Sequence, residues 1–323
     1  MSATPANLAA VRGITVGHFT DVDGGTGCTV ILAPPGGMRA SAALRGRATG
    51  TRELDVLDPR HLVGHVDAIL LTGGSALGLG AADGVARWLR ARDRGFPVGP
   101  SGVVPIVPAA VLLDLQPGGR WPSPEDAGVA CDNASTDMAE GSVGAGTGAT
   151  VGKAAGLAFC MKGGVGTWAH RVGEIVVAAL VVSNPFGDVR DARGTILAGA
   201  RGPDGGFADG LRLLAEGAVP PGSMGTRATN TTLAVVATNA SIDKTELQAL
   251  AHTASDGLAR RITPYGTRVD GDVVFAVSTA ALAPPSPLQV EALAALVVPE
   301  ALERSVRLAR GRRGIPGLAD RAS

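Results

Sequence analysis

The sequence predicts an α+β fold built on sheets that are covered on both faces. Three observations point there. The runs "EIVVAALVVSNPFGDV" (174–189) and "TTLAVVATN" (231–239) are apolar along their length, as strands without a solvent face must be. Segments with a 3.6-residue apolar period and capping residues at their start stand between such runs. Strands and helices follow one another without a regular repeat, and no low-complexity tail is present.

Taken in order, "GCTVILAPP" (27–35) reads as a strand, and "DAILLTGGSALGLGAADGVARWLRAR" (67–92) as a buried strand, a glycine turn and a helix whose stripe is Leu77, Ala81, Val85, Trp88 and Leu89. "VPIVPAAVLLDL" (104–115) is a proline-interrupted apolar segment, and "SPEDAGVACDNAS" (123–135) with "STDMAEGSVGAGTGATVGKAAG" (135–156) puts acidic residues ahead of a glycine-rich loop. Residues 194–230, rich in Gly, Pro and Arg with weak periodicity, predict a long, mobile connection. Beyond the strand 231–239, Asp243 with Glu246 caps a helix carrying Leu247, Leu250, Ala251, Ala254 and Leu258 on one stripe. "DGDVVFAVSTAAL" (270–282) returns as a strand, and Ser286-Pro287 opens a C-terminal helix.

A chain of 323 residues, 45% hydrophobic and 18% charged, can bury the core of one large domain or two modest ones. Lys+Arg and Asp+Glu both number 29, so no global field favours nucleic acid or an anionic membrane. The first residues show no basic flank ahead of a long apolar run, so neither a signal peptide nor a spanning helix is expected, and the cytoplasm is the default location. Cys28, Cys131 and Cys160 are odd in number and form no CxxC pair, which predicts small core residues rather than disulfides or a metal site. No cofactor is expected. The 47 glycines lie well above the usual share of roughly 7%, implying tight turns and close backbone contacts.

Two places invite a chemical reading. Thr229, Asn230, Thr231 and Thr232 crowd the entrance to the buried strand; threonine often begins strands, and a site of chain cleavage is the sharper alternative. Lys153, one of only three lysines, sits in "GAGTGATVGKAAG". A P-loop needs glycine and Ser/Thr where Thr147 and Ala154 stand, and "GAGTGA" follows polar, acidic sequence instead of the strand a dinucleotide motif requires. Flanked by residues without bulk in an apolar setting, the amine of Lys153 would have its pKa lowered toward neutrality, as a base requires; a plain surface lysine is the alternative.

Together "GTGATVGK", "VVSNPFGDV", "TNTTLAVVATNA", "SDGLARRITP" and "DGDVVFA", with "GITVGHFTDVDGGTGCTVIL" and "DAILLTGGSALGLGAADGV" before them, resemble the self-processing N-terminal-nucleophile family of the DmpA and BapA aminopeptidases and the nylon-oligomer endo-hydrolases. The resemblance covers nearly the whole chain. It implies an αββα four-layer sandwich in one domain, 1–323, and self-cleavage between Asn230 and Thr231 into chains 1–230 and 231–323. Thr231 then becomes the nucleophile beside its own α-amine, whose unperturbed pKa is about 7.7 to 8.0. The resemblance further implies that Lys153 hydrogen-bonds Thr231 and relays its proton, and that Asn184 orients the nucleophile or stabilises the oxyanion. Asp270 and Asp272 would position the amine or the lysine.

In the aminopeptidase branch a glutamate in the segment matching "VPAAVLLD" pairs with the substrate's ammonium. Here Val111, Leu112 and Leu113 stand without one. With the Asn-Thr junction and paired aspartates, this leans toward the nylon-oligomer hydrolases, which attack internal amides, although the tyrosine those enzymes carry nearby is absent and the chain's one tyrosine is Tyr265. The expected partner is a small amide or peptide substrate, with assembly as a tetramer of processed units; a release of N-terminal residues, or acyl transfer as in ornithine acetyltransferases, are the rival activities.

Overall fold

The computed structural model describes residues 7–116, 118–218, 230–283 and 286–321. Ten strands make two five-stranded sheets: β1 (Thr15–Asp21), β2 (Thr26–Leu32), β3 (Arg39–Leu44), β4 (Thr51–Arg52), β5 (Ala68–Thr72), β6 (Ala109–Val111), β7 (Val165–Val172), β8 (Ile175–Asn184), β9 (Thr231–Ala240) and β10 (Val273–Leu282). The first sheet runs in the order β1-β2-β5-β6-β4 and the second β7-β8-β9-β10-β3. Most neighbours are antiparallel; β5 with β6, and β9 with β10, are parallel. Among the described residues five α-helices accompany them: α1 (Ala82–Arg90), α2 (Pro124–Asp132), α3 (Gly210–Ala215), α4 (Lys244–Ala259) and α5 (Pro287–Arg307).

The period-2 alternation of the strands sets the layers. Leu233, Val235 and Ala237 of β9, with Leu180 and Val182 of β8 and Phe275 of β10, pack against Ile31, Ile69 and Leu71 of the first sheet. The alternate residues Ala234, Val236, Val181 and Ala276 face the other way, onto Leu247, Leu250 and Leu258 of α4 and Val297 and Leu302 of α5. On the outer face of the first sheet, Val30, Cys28 and Leu70 meet Val85 and Leu89 of α1 and Ala127 and Ala130 of α2. The result is the helix, sheet, sheet, helix sandwich. All three cysteines are free and buried.

Several local expectations need revision. Leu77 is exposed, because a left-handed Gly74-Ser75 turn leads into a 3-10 helix over Ser75–Ala81 and the α-helix begins only at Ala82. The acidic run before the glycine loop hides α2, which Ser123 and Asp126 start with a reciprocal capping box around Pro124. Asp243 and Glu246 form the same device on α4, whereas the Ser286 side chain makes no capping bond on α5. The region 194–230 is not a bare connection: Ile196–Ala198 pairs with Asp188–Arg190, and α3 follows. Residues 219–229 of that region, including Thr229, lie outside the described residues. Among the described residues no helix is long and apolar enough to cross a membrane.

Candidate active site

The residues singled out by sequence meet at one end of the second sheet. Thr231 is the first residue of β9 and Asn184 the last of β8, and the antiparallel register makes them direct Cα partners. Because β9 and β10 are parallel, both begin at this end; Asn230 forms a parallel bridge with Asp270, two residues before Asp272 and three before β10. Lys153 arrives from the other side on a loop that follows the short strand Thr150–Val151, its backbone N–H donating to Phe186 O at 2.9 Å. All of these side chains are buried: Lys153 is 4% exposed, Thr231 5%, Asp270 1%, and Asn184 and Asp272 0%.

The Thr231 hydroxyl donates to the carbonyl oxygen of Asn230 at 2.5 Å. That carbonyl belongs to the peptide bond whose cleavage would free the threonine. Lys153 Nζ does not reach Thr231. It donates to Thr150 O (2.9 Å), Asn184 O (2.9 Å), Asn184 Oδ1 (3.1 Å) and Pro185 O (3.1 Å), so the expected direct contact is replaced by one through Asn184. The reason is register: Asn184 stands opposite Thr231, and the lysine packs against the turn that leaves β8. Asn184 Oδ1 also accepts from Thr150 N at 2.9 Å. Thr150 N can only donate, so the amide oxygen faces it and the lysine.

Burial lowers the Lys153 amine to about 8, an effect that the charges of Asp270 and Asp272 partly offset. Half the amine is then neutral near pH 8, as a proton acceptor needs. The two aspartates are held differently. Asp270 accepts from Phe186 N (3.0 Å), Thr267 N (3.0 Å) and Thr267 Oγ1 (2.5 Å). Asp272 accepts from Thr232 N (2.5 Å) and Gly266 N (3.2 Å), and burial, reinforced by the neighbouring Asp270, raises its carboxyl well above the usual range.

Residues 7–310 match Peptidase family S58. The chain belongs to that family. An uncharacterized aminopeptidase of Mycobacterium tuberculosis is 42% identical over 296 residues, covering 86% of this chain and 83% of the relative. A 6-aminohexanoate-oligomer endohydrolase of an Agromyces strain is 31% identical over 281 residues, covering 83% and 73%. Among solved structures, a Burkholderia β-aminopeptidase superposes with a TM-score of 0.71 at 22% identity over 97% of this chain and 90% of its own. The Ochrobactrum anthropi L-aminopeptidase D-Ala-esterase/amidase, described as a variant of the Ntn-hydrolase fold, gives 0.68 at 21% over 94% and 86%. Membership of S58 makes the protein a hydrolase of peptide or amide bonds, and the sandwich is the fold of these peptidases.

Three buried polar residues escaped the sequence reading. Thr150 supplies both a donor to Asn184 and an acceptor to Lys153, and nothing in its type marks it out. Lys162 is a second buried lysine, its Nζ donating to Gly146 O, Thr147 O and Ala149 O, and burial with help from Arg312 lowers it to about 7. It precedes Gly163-Gly164, the same kind of signal that drew attention to Lys153. Asp114 is the acid that ends the segment "VPAAVLLD", where no glutamate stands. Its Oδ1 accepts from Gly74 N at 2.7 Å, and its buried Oδ2 lies beside the Thr26 hydroxyl. Burial raises it to about 6 despite the nearby Lys162. Tyr265 packs against α4, its hydroxyl sharing a hydrogen bond with Ser255 Oγ.

Proposed function

We propose that this peptidase matures by cutting its own chain between Asn230 and Thr231, and that the freed Thr231 is the nucleophile that hydrolyses amide bonds through an acyl-enzyme. The observation that carries this reading is the Thr231 hydroxyl lying against the carbonyl of Asn230 at 2.5 Å, at the buried strand end where Asn184, Lys153 and the aspartate pair converge. In maturation the hydroxyl oxygen adds to the Asn230 carbonyl carbon, the C–N bond breaks, and the hydroxyl proton ends on the departing nitrogen. Water then hydrolyses the ester, leaving a carboxylate on Asn230 and a threonine with a free amine. In turnover that amine, or Lys153 once its side chain turns toward Thr231, takes the hydroxyl proton. Asn184 Nδ2 serves as a donor toward the substrate's developing oxyanion.

For substrate we propose linear amide oligomers of the ω-amino-acid type, cut at internal bonds, in keeping with the name of the 31% identical Agromyces relative. Asp114 favours a second reading. A buried carboxyl in the 107–114 segment, with no ion pair to it among the described residues, supports capture of a free ammonium, and with it aminopeptidase activity, the function in the names of the 42% identical mycobacterial relatives.

Intact-mass analysis of purified protein tests the core of the proposal. We expect two chains, 1–230 and 231–323, and any other new N-terminus removes Thr231 from the role.

A further inference from the structure

The carbonyl of Asn230 is gripped from two directions. The Thr231 hydroxyl approaches on one side, and on the other the backbone N–H of Gly271 donates to the same oxygen at 2.9 Å. The second contact is rigidly built. Gly271 lies between Asp270 and Asp272, and the carbonyls of both are engaged by the loop that leaves β3: Arg47 N and Ala48 N donate to Asp270 O at 2.9 and 3.0 Å, and Arg45 N to Asp272 O at 2.8 Å. The Asp270 side chain is tied at both oxygens by Phe186 and Thr267. The peptide plane that carries the Gly271 N–H is therefore fixed from several sides.

The fit leaves no space for side chains. A Cβ on Gly271 would sit 2.3 Å from Ala48 O, and one on Gly46, whose φ is +75°, would sit 2.1 Å from Asp270 O. Glycine at both positions lets two backbones close on each other so that one N–H is aimed at one carbonyl. Such a donor, oriented before reaction, stabilises a developing negative charge without any reorganisation.

We propose that the Gly271 N–H is the oxyanion donor of self-cleavage. This rests on Thr231 being the nucleophile. When Thr231 Oγ bonds to the Asn230 carbonyl carbon, the π pair moves onto the oxygen, and the Gly271 N–H is the group already in place to receive that charge. When the pair returns, the bond to the Thr231 nitrogen breaks and the nitrogen keeps the proton released by the hydroxyl. No co-reactant is needed before water cleaves the ester.

The test replaces residue 271 with glycolic acid during in-vitro translation, using a suppressor tRNA, which turns the N–H into an ester oxygen and adds no side chain. Wild type and Thr231→Ala are translated alongside, with full-length precursor followed by gel and folding by resistance to limited proteolysis. We expect wild type to mature, Thr231→Ala to stay intact, and the ester variant to be as protease-resistant as wild type but to mature about 100-fold more slowly, the scale of losing one oxyanion donor. Maturation of the ester variant within about threefold of wild type, with Thr231→Ala inert, overturns the donor while leaving the nucleophile standing. A protease-sensitive ester variant overturns it too, since the N–H would then serve the fold. Release of 231–323 from Thr231→Ala removes the nucleophile itself, and the donor with it.

Discussion

Lys153 donates to Asn184 twice, at the backbone oxygen (2.9 Å) and the side-chain oxygen (3.1 Å), and makes no hydrogen bond to Thr231. The lysine thus sets the orientation of the asparagine that stands opposite the nucleophile, and any proton it exchanges with Thr231 must move through a rearranged side chain.

Replacing Lys153 should therefore damage both the acid-base step and the placement of Asn184. Lys153→Met is expected to slow maturation and turnover by about 100-fold or more, the usual scale for losing a general acid-base group. The amine is lowered to about 8, so its neutral form increases as pH rises through 8, and wild-type turnover should rise over that interval. The residual Lys153→Met activity should keep only the limb of the Thr231 α-amine, whose ordinary value is about 7.7 to 8.0, and rates within about threefold of wild type across the whole profile would make the lysine structural.

Asp272 predicts an opposite movement of stability and activity. Its carboxyl is raised in the folded chain, so the folded state binds more protons than the unfolded state above the ordinary carboxylate range of about 4. Stability is then present at low pH and is lost as pH rises through the folded value. Asp272→Asn removes the ionisation while keeping an acceptor for Thr232 N, so at pH 7 its melting temperature should equal or exceed that of wild type, with maturation slowed by about 100-fold. Thermal scans at pH 5 and pH 8 check the sign: the advantage of the variant should grow with pH.

Asp114 separates the two substrate readings. A short 6-aminohexanoate oligomer, free and N-acylated, is compared with an amino-acid p-nitroanilide by product mass. If the enzyme cuts internal bonds, the blocked oligomer is hydrolysed, and Asp114→Asn changes KM for free and blocked substrates alike. If Asp114 binds an ammonium, only free-amine substrates are cleaved, and the variant raises their KM by about 30-fold, near the 2 kcal/mol typical of a buried charged hydrogen bond.

Thr231→Ser should still mature, because the hydroxyl and the β9 register are kept, whereas Thr231→Ala should remain one chain of 323 residues on a denaturing gel.

Local patterning determined much of this protein. The unbroken apolar runs of β8 and β9 required layers on both sides, and Asp243 with Glu246 started α4 where a capping box belongs. The quoted motifs brought Thr231, Lys153, Asn184, Asp270 and Asp272 forward as a set, through resemblance more than through spacing, since 153, 184, 231 and 272 lie far apart in the chain. Only tertiary structure decided how they meet. Antiparallel pairing of β8 with β9 and parallel pairing of β9 with β10 are choices of register, made by cross-strand packing over long loops, and they alone bring Asn184, Thr231 and Asp270 to one end. The same holds for Lys153 turning to Asn184, for Asp114 being buried against Gly74 N, and for Gly271 aiming its N–H at Asn230. A backbone donor leaves no trace in residue type, because every residue except proline has one, and only the close approach of two chain segments gives it a direction.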